Sequence, residues 1–195
     1  MKPLTPSSNE ELVPPGAYVG GHDCDGTPIY VGRSFHEEDN LPAKVIPSKG
    51  CAFVCWGGEE IPKTEYEVLV GKDYEWVTSR GGSVPHNAVC SGTTRHGEQL
   101  YIGRVAYRNS LTIGKIHPSH GCLYIPFDGK ELRFHSYEVL IRKADDSDSA
   151  RRVGQAPLRN LSESSVGSIS QWIPWLVPKM SDLNFSVNFS RKVEY

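Results

Sequence analysis

The sequence predicts an all-β protein: two pseudo-twofold-related antiparallel sheet repeats packed as one domain, with a C-terminal extension containing a strand. Three observations predict it. The chain repeats itself, its apolar residues alternate in short runs between turn residues, and no window sustains an apolar period of 3.6 residues. A gapless offset of 71 residues aligns 12–72 with 83–143, and 20 of the 61 aligned pairs are identical. Chance gives only a few. A unit of that size has a small core of its own, so the two copies are expected to share one.

Within each copy the same strand signals recur in the same order. The segments PIYVGRSF and QLYIGRVAY, beginning at Pro28 and Gln99, alternate apolar and polar positions. CAFVCW and CLYIPF, from Cys51 and Cys122, are short runs followed by the turn signals GGEE and DGKE. YEVLVGK and YEVLIRK, from Tyr66 and Tyr137, close each copy with β-rich residues. The expected organisation is an N-terminal arm over 1–11, a first repeat over 12–72, a second over 73–143, a polar linker over 144–170 and an apolar, strand-bearing segment over 171–195. In that last segment Leu183, Phe185, Val187 and Phe189 alternate with polar residues, which predicts a strand with one apolar face. Pro174 and Pro178 interrupt the preceding apolar stretch, so it is not a regular helix.

Composition excludes several function classes. Hydrophobic residues are 38% and charged residues 23% of the 195, enough for a packed core. The net charge is -2, so a phosphate-driven nucleic-acid partner is not expected. No apolar signal region opens the chain and no spanning run follows; the expected location is the cytoplasm, with release by a non-classical route if the protein acts outside the cell. Five cysteines without a signal segment read as reduced thiols.

Several motifs fall in order, twice. Gly-Ser-Val-Pro-His-Asn-Ala-Val at 82–89, Leu-Tyr-Ile-Gly-Arg at 100–104, Gly-Lys-Ile-His-Pro at 114–118, Gly-Lys-Glu at 129–131 and Tyr-Glu-Val-Leu at 137–140 resemble the DM-nine repeat, over about Val13 to Lys143. That family includes tandem pairs in invertebrate immune proteins, mannose-specific bivalve lectins and the N-terminal part of natterin-like fish proteins. The resemblance implies a metal-free, non-enzymatic lectin that binds mannose-type glycans in innate defence, on microbial surfaces, and that forms a homodimer. It also implies an alternative: a membrane-active, aerolysin-type pore-forming protein or a fragment of one. Trp172, Trp175 and the apolar face of 183–189 motivate that alternative.

A hexose presents adjacent hydroxyls, each a donor and an acceptor, and an apolar C–H face. A carboxylate, an ammonium and an aromatic wall suffice to hold it. By resemblance the carbohydrate-binding residues are Asp23 and Lys44 in the first repeat, and Thr94 and Lys115 in the second. Asp23 and Lys44 must face the same pyranose; side chains on opposite faces, or buried in separate ion pairs, would defeat the carbohydrate reading. Thr94 replaces a carboxylate with a hydroxyl, so the first site is expected to be the stronger. Ala43 stands where the second repeat has Gly114, and its methyl is expected to crowd a ligand. Glu60 and Glu131 either complete the polar ring or pair with a cation of their own repeat. Arg33 and Arg104 are expected to brace Glu67 and Glu138, and Tyr66 and Tyr137 to lie in the core. Alanine variants of Asp23 and Lys44 are expected to lose binding with the fold intact.

Rival chemistries are weaker. His117, His120 and Cys122 suggest zinc, but Ile46 and Lys49 occupy the corresponding places of the first repeat, so no metal or other cofactor is expected. Cys122 beside His120 lacks a third orienting group for nucleophilic catalysis. Cys51 and Cys122 read as small buried residues.

Overall fold

The computed structural model describes residues 13–143 and the backbone of 189–192. The expected linker, the Trp172/Trp175 pair and Leu183, Phe185 and Val187 of the expected tail strand lie outside the described residues.

Six strands make the first repeat: β1 (Val19–His22), β2 (Pro28–His36), β3 (Asp39–Ile46), β4 (Cys51–Trp56), β5 (Glu59–Lys63) and β6 (Tyr66–Leu69). After β7 (Tyr74–Arg80), six more make the second: β8 (Cys90–Thr93), β9 (Gln99–Tyr107), β10 (Ser110–His117), β11 (Cys122–Phe127), β12 (Lys130–Phe134) and β13 (Ser136–Arg142). Each strand of the second repeat starts 71 residues after its counterpart, except β13, which begins one residue early. Among the described residues there is no α-helix.

Turn chemistry sets the registers. Gly57 and Gly58 join β4 to β5, and Asp128 and Gly129 join β11 to β12, all with positive φ, as two-residue hairpin turns require. The β2–β3 and β9–β10 hairpins use Glu37–Glu38 and Arg108–Asn109, also with positive φ. After β3 and β10, single 3-10 turns (Pro47–Lys49 and Pro118–His120) end on left-handed Gly50 and Gly121.

The repeats are stitched by reciprocal pairings. His22 of β1 pairs with Leu111 of β10, and its counterpart Thr93 of β8 pairs with Asn40 of β3. With the β1–β2, β2–β3, β8–β9 and β9–β10 ladders, these contacts close a ring of six strands. Glu59 of β5 pairs with its own counterpart, Lys130 of β12. A Cβ on Gly21 would sit 1.9 Å from the Leu111 carbonyl oxygen, and one on Gly92 1.9 Å from that of Asn40. The glycine recurs because the other repeat's backbone passes there.

Ile29, Val31, Ile46 and Leu69 pack with Val89, Ile102, Ile113 and Leu140 in one buried cluster drawn from both repeats. Tyr66 and Tyr137 are buried as expected. Of the two cysteines read as buried, Cys122 is fully so and Cys51 only partly. All five cysteines are free thiols.

The last strand, β14 (Phe189–Lys192), pairs antiparallel with β6, placing Leu69 opposite Phe189 and Tyr66 opposite Lys192. In the second repeat β7 fills this place, with Leu140 opposite Trp76 and Tyr137 opposite Ser79. The C-terminal strand thus gives the first repeat the edge that β7 gives the second.

Candidate functional site

Two cavities of about 540 and 520 Å³ lie in equivalent places, and each takes residues from both repeats. At the base of the first, Lys44 on β3 pairs with Glu60 on β5 at 2.7 Å. Lys44 also donates to the Pro126 carbonyl at 2.6 Å, and the Glu60 carboxylate accepts the Gly129 N–H at 2.7 Å. The second cavity repeats this with the roles of the repeats exchanged. Lys115 pairs with Glu131 at 2.9 Å and donates to the Cys55 carbonyl at 2.6 Å, while Glu131 accepts the Gly58 N–H at 2.8 Å.

Both readings of Glu60 and Glu131 therefore meet: each is paired with a cation of its own repeat, and each lines a cavity. Lys44 and Lys115 are only 5% and 6% exposed, so the pairs are buried ties between repeats. Removing Lys44 would strand Glu60 from its partner, so the pair sets a predicted loss of stability against the intact fold expected of an alanine variant.

The walls are aromatic. Phe53 and Phe127 flank Lys44, their ring centres 5.2 and 5.7 Å from its nitrogen. In the second cavity Tyr124 lies 5.5 Å from the Lys115 nitrogen, and Trp56 takes the place of Phe127.

At the mouth of the first cavity, Asp23 pairs with Lys49 at 2.7 Å and accepts the Cys24 N–H at 2.8 Å. Burial pushes the Asp23 carboxyl up, but the bonds from Lys49 and Cys24 and the lysine charges outweigh it and hold it below its ordinary value. Asp23 and Lys44 thus share one cavity but not one partner. The pair at Lys44 is buried, whereas that at Asp23 is open to solvent through Lys49, which is half exposed. Asp23 and Lys44 therefore meet the cavity as members of two ion pairs, with Lys49 and Glu60 as their partners.

All six sequence-expected site residues line the cavities: Asp23, Lys44 and Glu60 the first, Thr94, Lys115 and Glu131 the second. The expectation for Ala43 is overturned. Its side chain is fully buried in the core with Leu41 and Val45, away from the cavity. Gly114 differs because a Cβ there would meet the Tyr124 carbonyl oxygen at 1.9 Å.

The sequence reading missed Lys49, Phe53, Phe127 and, in the second cavity, Glu98, Trp56 and Asp39. Lys49 and His120 hold the same repeat position on the 3-10 turns, so the 71-residue offset carried a signal for that place. Glu98 replaces Thr27 and has no counterpart to flag it.

The rival sites take ordinary places. His117 and His120 stack with ring centres 3.6 Å apart. Among the described residues no group of three His, Cys, Asp or Glu side chains is arranged to hold a metal ion. Arg33 and Arg104 brace Glu67 and Glu138, as the strand positions suggested.

Residues 23–134 match the DM9 repeat. Among curated proteins the chain is similar to natterin-4 of Thalassophryne nattereri, 33% identical over 127 residues, covering 63% of this chain and 28% of that protein. Natterin-2 of the same fish is 34% identical over 98 residues, covering 48% of this chain and 24% of that protein. The match therefore spans less than a third of these relatives. Among solved structures, the nematode sperm cell motility protein MFP2B aligns with a TM-score of 0.48 and 16% identity, over 61% of this chain and 37% of that one. With more than half of its length matched in order by the repeat, the chain is a member of the DM9 repeat family.

Proposed function

We propose that this chain is a non-enzymatic, metal-independent lectin for mannose-type glycans that serves pathogen recognition. One observation carries the reading: the first cavity brings together the buried Lys44 ammonium, the carboxylates of Asp23 and Glu60 and the rings of Phe53 and Phe127 in a volume suited to a hexose. An ammonium has three protons. Lys44 commits two of them, to Glu60 and Pro126, which leaves one for a ligand oxygen. A carboxylate accepts about four hydrogen bonds. Asp23 accepts from Cys24 and Lys49, leaving capacity for adjacent sugar hydroxyls. Phe53 and Phe127 supply apolar surface for the C–H face. Dimerisation of the chain would add avidity on a glycan-coated surface.

Titration calorimetry with methyl α-mannoside tests this. Binding is expected to persist in chelator and to fall in Asp23→Ala. Unchanged affinity in that variant removes Asp23 from the site, and no binding by the wild type removes the lectin reading. A second reading, a membrane-active protein of natterin type, draws on the natterin similarity. Dye release from liposomes without surface mannose would favour it.

A further inference from the structure

The two cavities share a base but not a mouth. We infer that Glu98, rather than Thr94, is the ligand acceptor of the second cavity, with Trp56 of the first repeat as its apolar wall, making it a second and chemically distinct hexose site. This rests on the lectin reading above.

The hydroxyl oxygen of Thr94 is neutral and already accepts one bond within its own loop. Its Oγ1 accepts the Glu98 N–H at 3.2 Å, while the Thr94 N–H donates to the Glu98 carbonyl at 2.9 Å. The first repeat keeps the equivalent backbone bond, Asp23 N–H to the Thr27 carbonyl at 2.8 Å, but its Thr27 N–H donates to Asp25, and Asp23 keeps its carboxylate toward the cavity. The charged acceptor lost at Thr94 returns four residues later. Glu98 lines the second cavity and is held by three donors: the Ser119 N–H at 2.8 Å, the Ser119 hydroxyl at 2.7 Å and His117 Nε2 at 3.1 Å. Ser119 and His117 flank the start of the 3-10 turn that follows β10, so the carboxylate is fixed by the same turn that carries His120 to the cavity.

Three of roughly four acceptor places on Glu98 are filled, against two on Asp23. The second site therefore offers one hydrogen bond from a charged acceptor where the first offers two.

Trp56 completes the site. It is 36% exposed, and its indole N–H donates to Asp39 at 3.3 Å. His36 packs against it edge-on at 5.4 Å. Phe127 and Tyr107 make the corresponding edge contact at 5.0 Å beside the first cavity. The wall is thus retained in both, with a larger ring in the second.

The test uses the full chain and methyl α-mannoside, read by calorimetry and by tryptophan emission, with Trp56→Phe to assign the emission change. The wild type is expected to show two sites differing about tenfold in affinity, the weaker one carrying the Trp56 response. Glu98→Gln is expected to remove the weaker site and that response while keeping the stronger; Asp23→Ala does the reverse. Should Glu98→Gln fail to melt cooperatively, Ser119→Ala decides, with the weaker site expected to lose several-fold in affinity. An unchanged Trp56 response in a folded Glu98→Gln or Ser119→Ala protein overturns the inference. So does a single wild-type site abolished by Asp23→Ala, which leaves the lectin reading standing. Absence of any wild-type binding overturns both.

Discussion

The first cavity meets solvent with a carboxylate and an ammonium, Asp23 and Lys49; the second meets it with Glu98 and two stacked imidazoles, His117 and His120. Below those mouths the two are nearly superimposable in chemistry. Each has a Lys–Glu pair whose lysine donates to a carbonyl, and whose glutamate accepts an N–H, of the other repeat. The difference teaches where duplication is constrained. The base ties the repeats together, so losing a member there costs the fold. At the mouths the bonds of Asp23 to Lys49, and of Glu98 to His117 and Ser119, stay within one repeat, so these residues are freer to diverge.

The largest expected effect falls at the shared base. Lys44→Ala or Lys115→Ala should cost about 3–5 kcal/mol, since each leaves a buried carboxylate without its ion-pair partner. Chemical denaturation of both variants checks this, and equal losses would confirm that the bases are equivalent. A loss confined to one would break the comparison.

Gly21→Ala and Gly92→Ala come next. Each drives a methyl into a carbonyl of the other repeat, at a cost of about 1–3 kcal/mol or more. Thermal melts should show matched losses at the two positions.

Asp23→Ala sharpens the comparison at the mouths. A hydrogen bond to a charged group contributes about 1.5–3 kcal/mol, so mannoside affinity at the first cavity should fall at least tenfold. Stability should change far less, because Lys49 is exposed to water.

The smallest effect is a pH dependence whose upper stage, set by His117, belongs to the second mouth. Burial lowers the His117 pKa, the neighbouring His120 lowers it further, and Glu98 only partly opposes them. The folded chain then binds fewer protons than the unfolded one as pH falls below about 6.5, so stability declines through that window. Glu98 and Asp23 act lower down. Burial raises each carboxyl, but hydrogen bonds from Ser119 and His117 in one case, and from Lys49 and Cys24 in the other, hold them below their ordinary values. Their contribution is present above the carboxylate range and lost as pH falls through it. Melts between pH 8 and 3 should show the upper stage vanish in His117→Ile, which installs the first repeat's residue.

The sequence made β2, β4 and β6 and their counterparts legible, because each shows alternation, a bounded apolar run or β-rich composition. It did not reveal β3 and β10. These run Leu-Pro-Ala-Lys-Val-Ile and Leu-Thr-Ile-Gly-Lys-Ile through the interior and are buried along most of their length, so no polar face marks them as strands. Both bear the central lysine of a cavity. The motif resemblance located that lysine; periodicity alone would have passed over it.

The amino-acid order by itself determined the duplication, the all-β class and the recurrence of Lys44/Lys115 and Glu60/Glu131, because identity at a fixed offset needs no coordinates to be seen. Which repeat each of those side chains serves was decided only by the folded chain. Glu60 reaches Gly129 and Lys115 reaches Cys55, across the join between copies. Such contacts arise from strands pairing far apart along the chain, and local patterning holds no record of them.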